Sequence, residues 1–180
     1  LNIDINTKEK KVSKFLKKIK EQEFLGYAYD GAEASFELLA KRMFQKFREF
    51  YSLKSFKVSD EKRINSKDEF VPFSEARVKI FVGKKEFYSA AEGNGPIHAL
   101  DVALRNALIK FYPKIKNLNL IDYKVRILTP QDGTKALVRV RIESKNERFQ
   151  WSTIGVSHNV IDASYIALHD SITYHLLNTK

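Results

Sequence analysis

An internal repeat constrains the fold of this chain more than any other feature of its sequence. After a shift of 64 residues the second half restates the first without a gap over its clearest part. Arg77 then falls on Arg141, Phe87 on Trp151, Ile97 on Ile161 and Leu104 on Leu168. Each half contains stretches of alternating apolar and polar residues, turn residues and then a helical pattern. The repeat predicts an α+β fold with two βββα units, residues 53–115 and 118–180, in which a helix covers the apolar face of each antiparallel sheet.

The strands are predicted from period-two alternation and from the turn residues between them. In the first half, Ser55–Glu61 is a weak strand, residues 62–73 are an exposed loop, Ala76–Val82 is a strand, and Gly83–Lys85 turns into Glu86–Glu92. The strands of the second half are expected over 121–127, 136–142 and 149–156, followed by a helix from about Asn159 to Leu177.

The first 52 residues are predicted to form a helical linker subdomain, because they carry helical periodicity and no strand pattern. Thr7 is placed to cap a helix over Lys8–Glu23, which Gly26 ends. A second helix is predicted from Ala32 to Tyr51, with apolar residues at the three- and four-residue spacing of a buried stripe.

The sequence Gly93-Asn94-Gly95-Pro96 stands between a strand pattern and a helix pattern. The glycines permit positive φ and close backbone approach, and proline suits the first turn of a helix. Free amides at a helix N-terminus attract anions such as carboxylates. A plain tight turn explains the same residues, so both interpretations stay open.

The formal charge of +10 is spread along the chain, at +4 for residues 1–72 and +6 for residues 73–180. The densest basic run, Lys8–Lys20, lies in a helical pattern whose other side is apolar, which is typical of a solvated helix face. A basic α+β nucleic-acid-binding domain stays open as an alternative, although such domains concentrate charge on one surface.

The composition of the chain also limits which other classes of protein it could belong to. The chain has no cysteine, which excludes disulfides and thiolate metal sites. No apolar run has the length of a membrane span, no signal peptide is visible, and we expect a soluble, cytoplasmic protein. The chain begins with Leu1, so we expect a fragment of a longer chain or a processed product.

No catalytic centre, metal site or cofactor is predicted within the chain. The four histidines, at 98, 158, 169 and 175, show no metal-ligand spacing with carboxylates nearby. The GNGP sequence lacks the Lys-Ser/Thr ending of a phosphate-binding P-loop.

Three stretches of the sequence, residues 87–104, 120–126 and 151–168, resemble the C-terminal allosteric domain of the 2-isopropylmalate synthase and citramalate synthase family. The matching features are GNGP opening a helix, the LIDYKVR strand after that helix, and WSTIGV before a final helix that contains Ala-Ser. The GAEASFELL sequence of residues 31–39 is similar to the linker after the catalytic barrel, and its form is closer to the citramalate synthase branch.

The resemblance implies a parent acyltransferase that condenses acetyl-CoA with a 2-oxo acid on a divalent-metal TIM barrel, which is absent from this chain. It also implies a homodimer and feedback inhibition by isoleucine or leucine. The residues that match the family's effector pocket are Gly93, Asn94, Gly95, Pro96, Ile97, Leu120, Asp122, Tyr123, Ile127, Ser157, His158 and Ile161.

The chemistry of these residues suits an amino acid. Loop amides would hold its carboxylate, and Asp122 or a backbone carbonyl would take its ammonium group. Ile97, Tyr123 and Ile127 would enclose its aliphatic side chain, in a pocket expected between the two βββα units. Isoleucine is expected to bind more tightly than leucine. A dimerisation module without a ligand stays open as a third hypothesis, and the 2-oxo acid of the parent stays open as well.

Overall fold

Two three-stranded antiparallel sheets, each followed by a long helix, form most of the protein. The structure, a computed structural model, describes residues 9–45 and 47–179. The main elements are α1 (Glu9–Phe24), α2 (Glu33–Phe44), β1 (Ser52–Ile64), β2 (Phe70–Val82), β3 (Lys85–Gly93), α3 (Pro96–Leu108), β4 (Asn119–Ile127), β5 (Val138–Lys145), β6 (Gln150–Ser157) and α4 (Val160–Asn178). The strand orders β1-β2-β3 and β4-β5-β6 confirm the predicted α+β fold with two βββα units.

The second and third strands of the two sheets pair in the same register. Ser74 lies opposite Gly93 in the β2–β3 pair, and Val138 lies opposite Ser157 in the β5–β6 pair. The chain forms two compact units, which we call the first unit (residues 49–117) and the second unit (residues 118–178 with the described residues up to Arg48). The predicted domain boundaries, 1–52, 53–115 and 118–180, stay predictions.

The core of the first unit lies between β2 and α3. The alternating residues Ala76, Val78 and Ile80 of β2 are fully buried, which is the pattern of a strand with one covered face. The buried residues of α3 recur at helical spacing and are Ala99, Leu100, Ala103, Leu104, Ala107 and Leu108. Alanine at three of these positions lets the helix axis approach the sheet closely.

The core of the second unit is built in the same way around α4 and the single tryptophan of the chain. Trp151 of β6 is 1% exposed and stacks on His175 of α4, with ring centroids 5.8 Å apart. Gly155 is required by this packing, since a Cβ there would lie 2.0 Å from the carbonyl oxygen of Ala163.

Helix α2 covers the outer edge of β6 and contacts α4. Glu33 Oε1 accepts a hydrogen bond from the Ser152 amide at 3.0 Å, and Ser35 Oγ accepts one from the Ile154 amide at 3.0 Å. Ser35 also donates to the buried Asp170 of α4 at 2.8 Å. The side chains of one helix thus satisfy the unpaired amides of an edge strand, a common way to protect such an edge.

The prediction that the second helix continues to Tyr51 was wrong. The helix ends at Phe44, and the next residue, Gln45, has an extended backbone with φ −112° and ψ 162°. Beyond it, the Phe50 carbonyl accepts a hydrogen bond from the Tyr112 hydroxyl at 2.8 Å, and Tyr51 is 2% exposed. Burial of Tyr51 and the hydrogen bond from Tyr112 to Phe50 in the first unit outweigh the local helical pattern. The predicted cap Thr7 and the predicted first helical residue Lys8 lie outside the described residues.

The prediction of an exposed loop over residues 62–73 was also wrong. β1 and β2 extend into this stretch from either side and pair with each other as far as the turn, where Ile64 lies opposite Phe70. Asn65 closes the turn, because its Oδ1 accepts hydrogen bonds from the Lys67 and Glu69 amides at 2.8 and 3.0 Å. The polar composition of residues 62–73 suggested a long loop, but the side chain of Asn65 stabilises a short turn between two strands instead.

Along the described chain, no helix combines the length and the apolar character needed to cross a membrane.

Candidate functional site

The loop from Gly93 to Ile97 connects β3 to α3 in the first unit. Gly95 is the residue just before the helix, and its φ of 177° and ψ of 166° are extended. Gly95 therefore does not adopt the positive φ that glycine permits. A Cβ added at Gly95 would meet no atom within 4 Å. Gly93 is the constrained glycine, since a Cβ on it would lie 2.4 Å from the Ala99 amide nitrogen. Pro96 opens α3 as the sequence predicts.

The first turn of α3 has no side-chain cap. The Gly95 carbonyl accepts the Ala99 amide at 3.0 Å, while the Asn94 amide donates to Nδ1 of His98 at 3.0 Å. Asn94 and His98 are exposed and Ile97 is half-buried. The amides that open α3 thus face a surface that solvent reaches, which is the arrangement an incoming carboxylate needs.

The corresponding turn of the second unit is capped. Asn159 stands where the first unit has Gly95, and its Oδ1 accepts a hydrogen bond from the Ile161 amide at 2.8 Å. Ser157 Oγ accepts the Asn159 amide at 3.1 Å, and His158 Nδ1 donates to the Lys135 carbonyl at 2.9 Å. The 64-residue shift places Asn159 on Gly95, but the capping role of Asn159 was not predicted from the sequence, although Asn is among the preferred N-cap residues.

β4 divides its predicted site residues between the two faces of the second sheet. A register shift lies between Leu120 and Asp122. Tyr123 faces α4, where its hydroxyl lies 2.8 Å from Ser164 Oγ. The Asp122 carboxylate is on the opposite face, where it is hydrogen-bonded to Lys124, and this contact holds the pKa of Asp122 below its usual value. Asp122 and the Tyr123 hydroxyl are therefore not brought together.

One end of the second sheet does bring predicted residues into a row. Ile127 pairs with Val138, which pairs with Ser157. Ile127 is 57% exposed and Val160, the first residue of α4, is 40% exposed. Ile127 and Val160 thus remain accessible at the end of the sheet near the Ser157–Ile161 turn.

Leu120 lies at the opposite end of β4. It is half-buried and faces α4, because its partner Ser144 bonds to Ser171 Oγ at 2.7 Å.

The described residues do not fit a divalent metal ion. No group of three or more His, Asp or Glu side chains in these parts of the chain is placed to hold one.

Comparison with known proteins decides the family. The model of the LeuA allosteric (dimerisation) domain matches residues 30–176. The chain belongs to the LeuA allosteric (dimerisation) domain family. The match spans most of both βββα units and α2, and it confirms the resemblance inferred from the sequence.

Relatives of this LeuA allosteric domain carry the name (R)-citramalate synthase. The chain is 50% identical to the one from Geobacter sulfurreducens over 97% of its length, and 49% identical to the one from Aquifex aeolicus over 99%. It spans 33% of the length of each of these relatives. The 2-isopropylmalate synthase of Aquifex aeolicus is 32% identical over 61% of the chain. Within one organism the similarity is thus greater to the citramalate synthase, which agrees with the branch indicated by the sequence.

Proposed function

We propose that this LeuA allosteric domain is the regulatory and self-associating part of a longer citramalate synthase. This proposal is supported by the family match and by the 50% identity to a named (R)-citramalate synthase over 97% of the chain. The parent would condense acetyl-CoA with a 2-oxo acid, and the name of its relatives favours pyruvate, because citramalate contains the carbon atoms of acetate and pyruvate. The catalytic barrel, its divalent metal and its acetyl-CoA site belong to the part of the parent outside this chain.

The proposed effector is isoleucine or leucine, bound for feedback inhibition. Support comes from the allosteric description of the family and from the uncapped first turn of α3. In the first unit, the amides of Ile97 and His98, which follow Pro96, are the candidate partners of the effector carboxylate. The second unit has its own candidate contacts to the effector, which are tested separately: Leu120, Tyr123, Ile127 and the Ser157–Ile161 turn with His158.

The proposed assembly is a homodimer. Support comes from the dimerisation description of the family and from the apolar surface exposed at Ile127 and Val160. Sedimentation equilibrium at tens of micromolar is expected to give twice the mass of the chain. A chain that stays monomeric at this concentration would exclude the homodimer.

Isothermal titration calorimetry tests the effector proposal with three ligands: isoleucine, leucine and isoleucinamide. Isoleucine is expected to bind, leucine to bind more weakly by ~1–2 kcal/mol because only the shape of the side chain differs, and isoleucinamide to lose most of the affinity because it lacks the carboxylate. Equal binding of isoleucine and isoleucinamide would exclude recognition through the carboxylate.

Two variants locate the effector. Gly95→Val places a side chain in open space at the start of α3, so it should preserve the fold and weaken isoleucine binding. Ile127→Ala tests the second unit, and Lys84→Ala, in the exposed β2–β3 turn, is the matched control. Unchanged isoleucine affinity in Gly95→Val would place the carboxylate elsewhere.

A further inference from the structure

The second unit shows how a βββα unit of this chain holds an additional helix. α2 lies along the edge of β6, and Asp170 of α4 binds both Ser35 Oγ at 2.8 Å and Arg42 Nη1 at 2.9 Å. The loop before α2 crosses the face of the sheet that α4 leaves uncovered, where the Gly26 carbonyl accepts Arg139 Nε at 2.6 Å. The seat of this segment therefore consists of a strand edge, one sheet face and one side of α4.

The first unit has a groove at the equivalent position. It is an open groove of about 460 Å³, lined by Glu75, Ala90, Ala91, Glu92, Val102 and Asn106. Adding 64 to these numbers gives Arg139, Ile154, Gly155, Val156, Ile166 and Asp170. Three of these equivalents, Arg139, Ile154 and Asp170, form the hydrogen bonds that hold α2 and its preceding loop. The groove is thus the first unit's counterpart of the α2 seat.

The backbone of β3 offers the same hydrogen-bonding edge as β6. Val82 pairs with Lys85 across the two-residue turn Gly83-Lys84. This turn makes Val82–Lys85 a hydrogen-bonded pair, so the amides of Tyr88 and Ala90 point away from β2. Their equivalents are Ser152 and Ile154, whose amides bind Glu33 and Ser35 of α2. The β3 edge is therefore suited to a helix that presents side-chain acceptors.

The residues that differ between the groove of the first unit and the α2 seat of the second unit indicate that a different helix binds in the groove. Glu75 and Glu92, which are paired across β2 and β3, replace Arg139 and Val156 and add negative charge to the groove, part of which the ion pair between Glu75 and Arg77 offsets. Ala90 and Val102 replace isoleucines, so the floor of the groove is wider than the α2 seat. The occupant should therefore carry lysine or arginine beside a large apolar side chain.

Helix α1 has this chemistry on its exposed side. Phe24 is 92% exposed, and Leu16 and Leu25 are 54% and 53% exposed. Lys17 and Lys20 line the same surface patch as Phe24 and Leu25, together with one acidic residue, Glu21. Phe24 is thus almost fully exposed within this chain and is free to enter an apolar groove such as that of the first unit.

We propose that the groove of the first unit binds α1 of a second copy of this chain, with Phe24 on the alanine floor and with Lys17 and Lys20 beside Glu75 and Glu92. In a two-fold dimer each copy gives one helix and one groove, so the contact occurs twice. The inference rests on the proposed homodimer but not on effector binding.

Disulfide trapping tests the contact directly, since the chain has no cysteine of its own. Lys20→Cys is mixed with Glu92→Cys under mild oxidation, and the control mixture pairs Lys20→Cys with Lys84→Cys at the exposed β2–β3 turn. All three positions are exposed, so the variants should fold, which circular dichroism checks. The mixed disulfide is expected to form at least about tenfold faster with Glu92→Cys than with the control. Equal rates in a chain that still sediments as a dimer would overturn this contact and leave the homodimer standing.

A charge exchange gives a second measurement. Lys17→Glu/Lys20→Glu makes α1 acidic, and Glu75→Lys/Glu92→Lys makes the groove basic. Each variant then opposes its own copies, while a mixed dimer has complementary charges at both contacts. Native mass spectrometry of the mixture is expected to show mixed dimers in excess of a statistical distribution. A statistical distribution would count against docking of α1 in the groove.

Discussion

At the scale of single residues, Gly93 and Gly95 differ sharply although only Asn94 separates them. Gly95 is extended and has open space where a side chain would begin, whereas Gly93 packs against the backbone of α3. Gly95→Val therefore adds no left-handed backbone strain to the turn. Its expected effect on the effector stays a prediction, because the new side chain would stand at the uncapped amides.

The substitution Gly93→Ala should destabilise the first unit. The added Cβ would lie 2.4 Å from the Ala99 amide nitrogen and 2.8 Å from its Cα, and α3 cannot move away without opening the core. Overpacking of this kind costs about 1–3 kcal/mol of unfolding free energy. Urea denaturation followed by circular dichroism measures it, with Gly95→Ala as the matched control. Equal stability of the two variants would contradict the close packing at Gly93.

Asp170 is a second residue on which local structure depends. It is 8% exposed and joins α4 to two residues of α2. Asp170→Ala removes the acceptor of Ser35 and the partner of Arg42, so we expect a loss of about 1–3 kcal/mol in the unfolding free energy of the second unit. Trp151 is buried in that unit and reports its unfolding by fluorescence. Glu21→Ala, which breaks the exposed pair with Lys18, is the control and should change stability by less than about 1 kcal/mol. Similar losses in both variants would show that Asp170 does not anchor α2.

At the scale of elements, α2 is held in place by side-chain contacts with β6 and α4. Tyr174 of α4 donates a hydrogen bond to Glu37 Oε2 at 3.0 Å, and Glu37 also pairs with Lys41 at 3.1 Å. Burial, the negative charge of Glu37 and this hydrogen bond raise the pKa of Tyr174 to about 12. The α2–α4 contact therefore favours the protonated tyrosine.

The stability of the second unit should fall in alkaline solution for this reason. A tyrosine in the unfolded chain loses its proton near pH 10, while Tyr174 in the folded unit retains it until about pH 12. The unfolded state binds fewer protons in that range, so stability is present below pH 10 and is lost as the pH rises to 12. Burial also raises the pKa of Tyr27 and Tyr29, so Tyr174→Phe should reduce the decline without removing it.

Denaturation midpoints at pH 9, 10 and 11, followed by Trp151 fluorescence, measure this decline. Tyr88→Phe, on the exposed face of the first sheet, is the matched control. If Tyr174→Phe and Tyr88→Phe lost stability with pH as steeply as the wild type, Tyr174 would not be a source of the alkaline effect.

At the scale of the whole molecule, the length of the chain and its potential metal ligands bear on whether it can catalyse a reaction alone. It spans 33% of the length of the Geobacter and Aquifex citramalate synthases, and its described residues hold no group suited to a metal ion. We therefore expect no synthase activity from this chain alone with acetyl-CoA and pyruvate. Release of CoA is followed with a thiol reagent, which the cysteine-free chain does not consume. Turnover above a protein-free control would contradict this expectation.

The sequence by itself determined the repeat and the regular elements. Period-two alternation over β2, β3, β5 and β6, and helical spacing over α3 and α4, are local patterns that follow directly from which face is buried. The turn that begins at Gly83 and the helix start at Pro96 could likewise be predicted, since each depends on the backbone preference of one or two residues.

Only the tertiary structure decided the features that depend on distant partners. Tyr51 leaves the helical pattern because it is buried in the first unit, and residues 62–64 and 70–73 form strands because each supplies the other's hydrogen bonds. The same holds for the candidate site. The bulge in β4 and the hydrogen bond between Tyr123 and Ser164 depend on neighbours that lie far along the chain. Spacing in a sequence fixes which residues share a face of one element, but contacts between elements fix which glycine is constrained, which helix start is capped and which strand edge is covered.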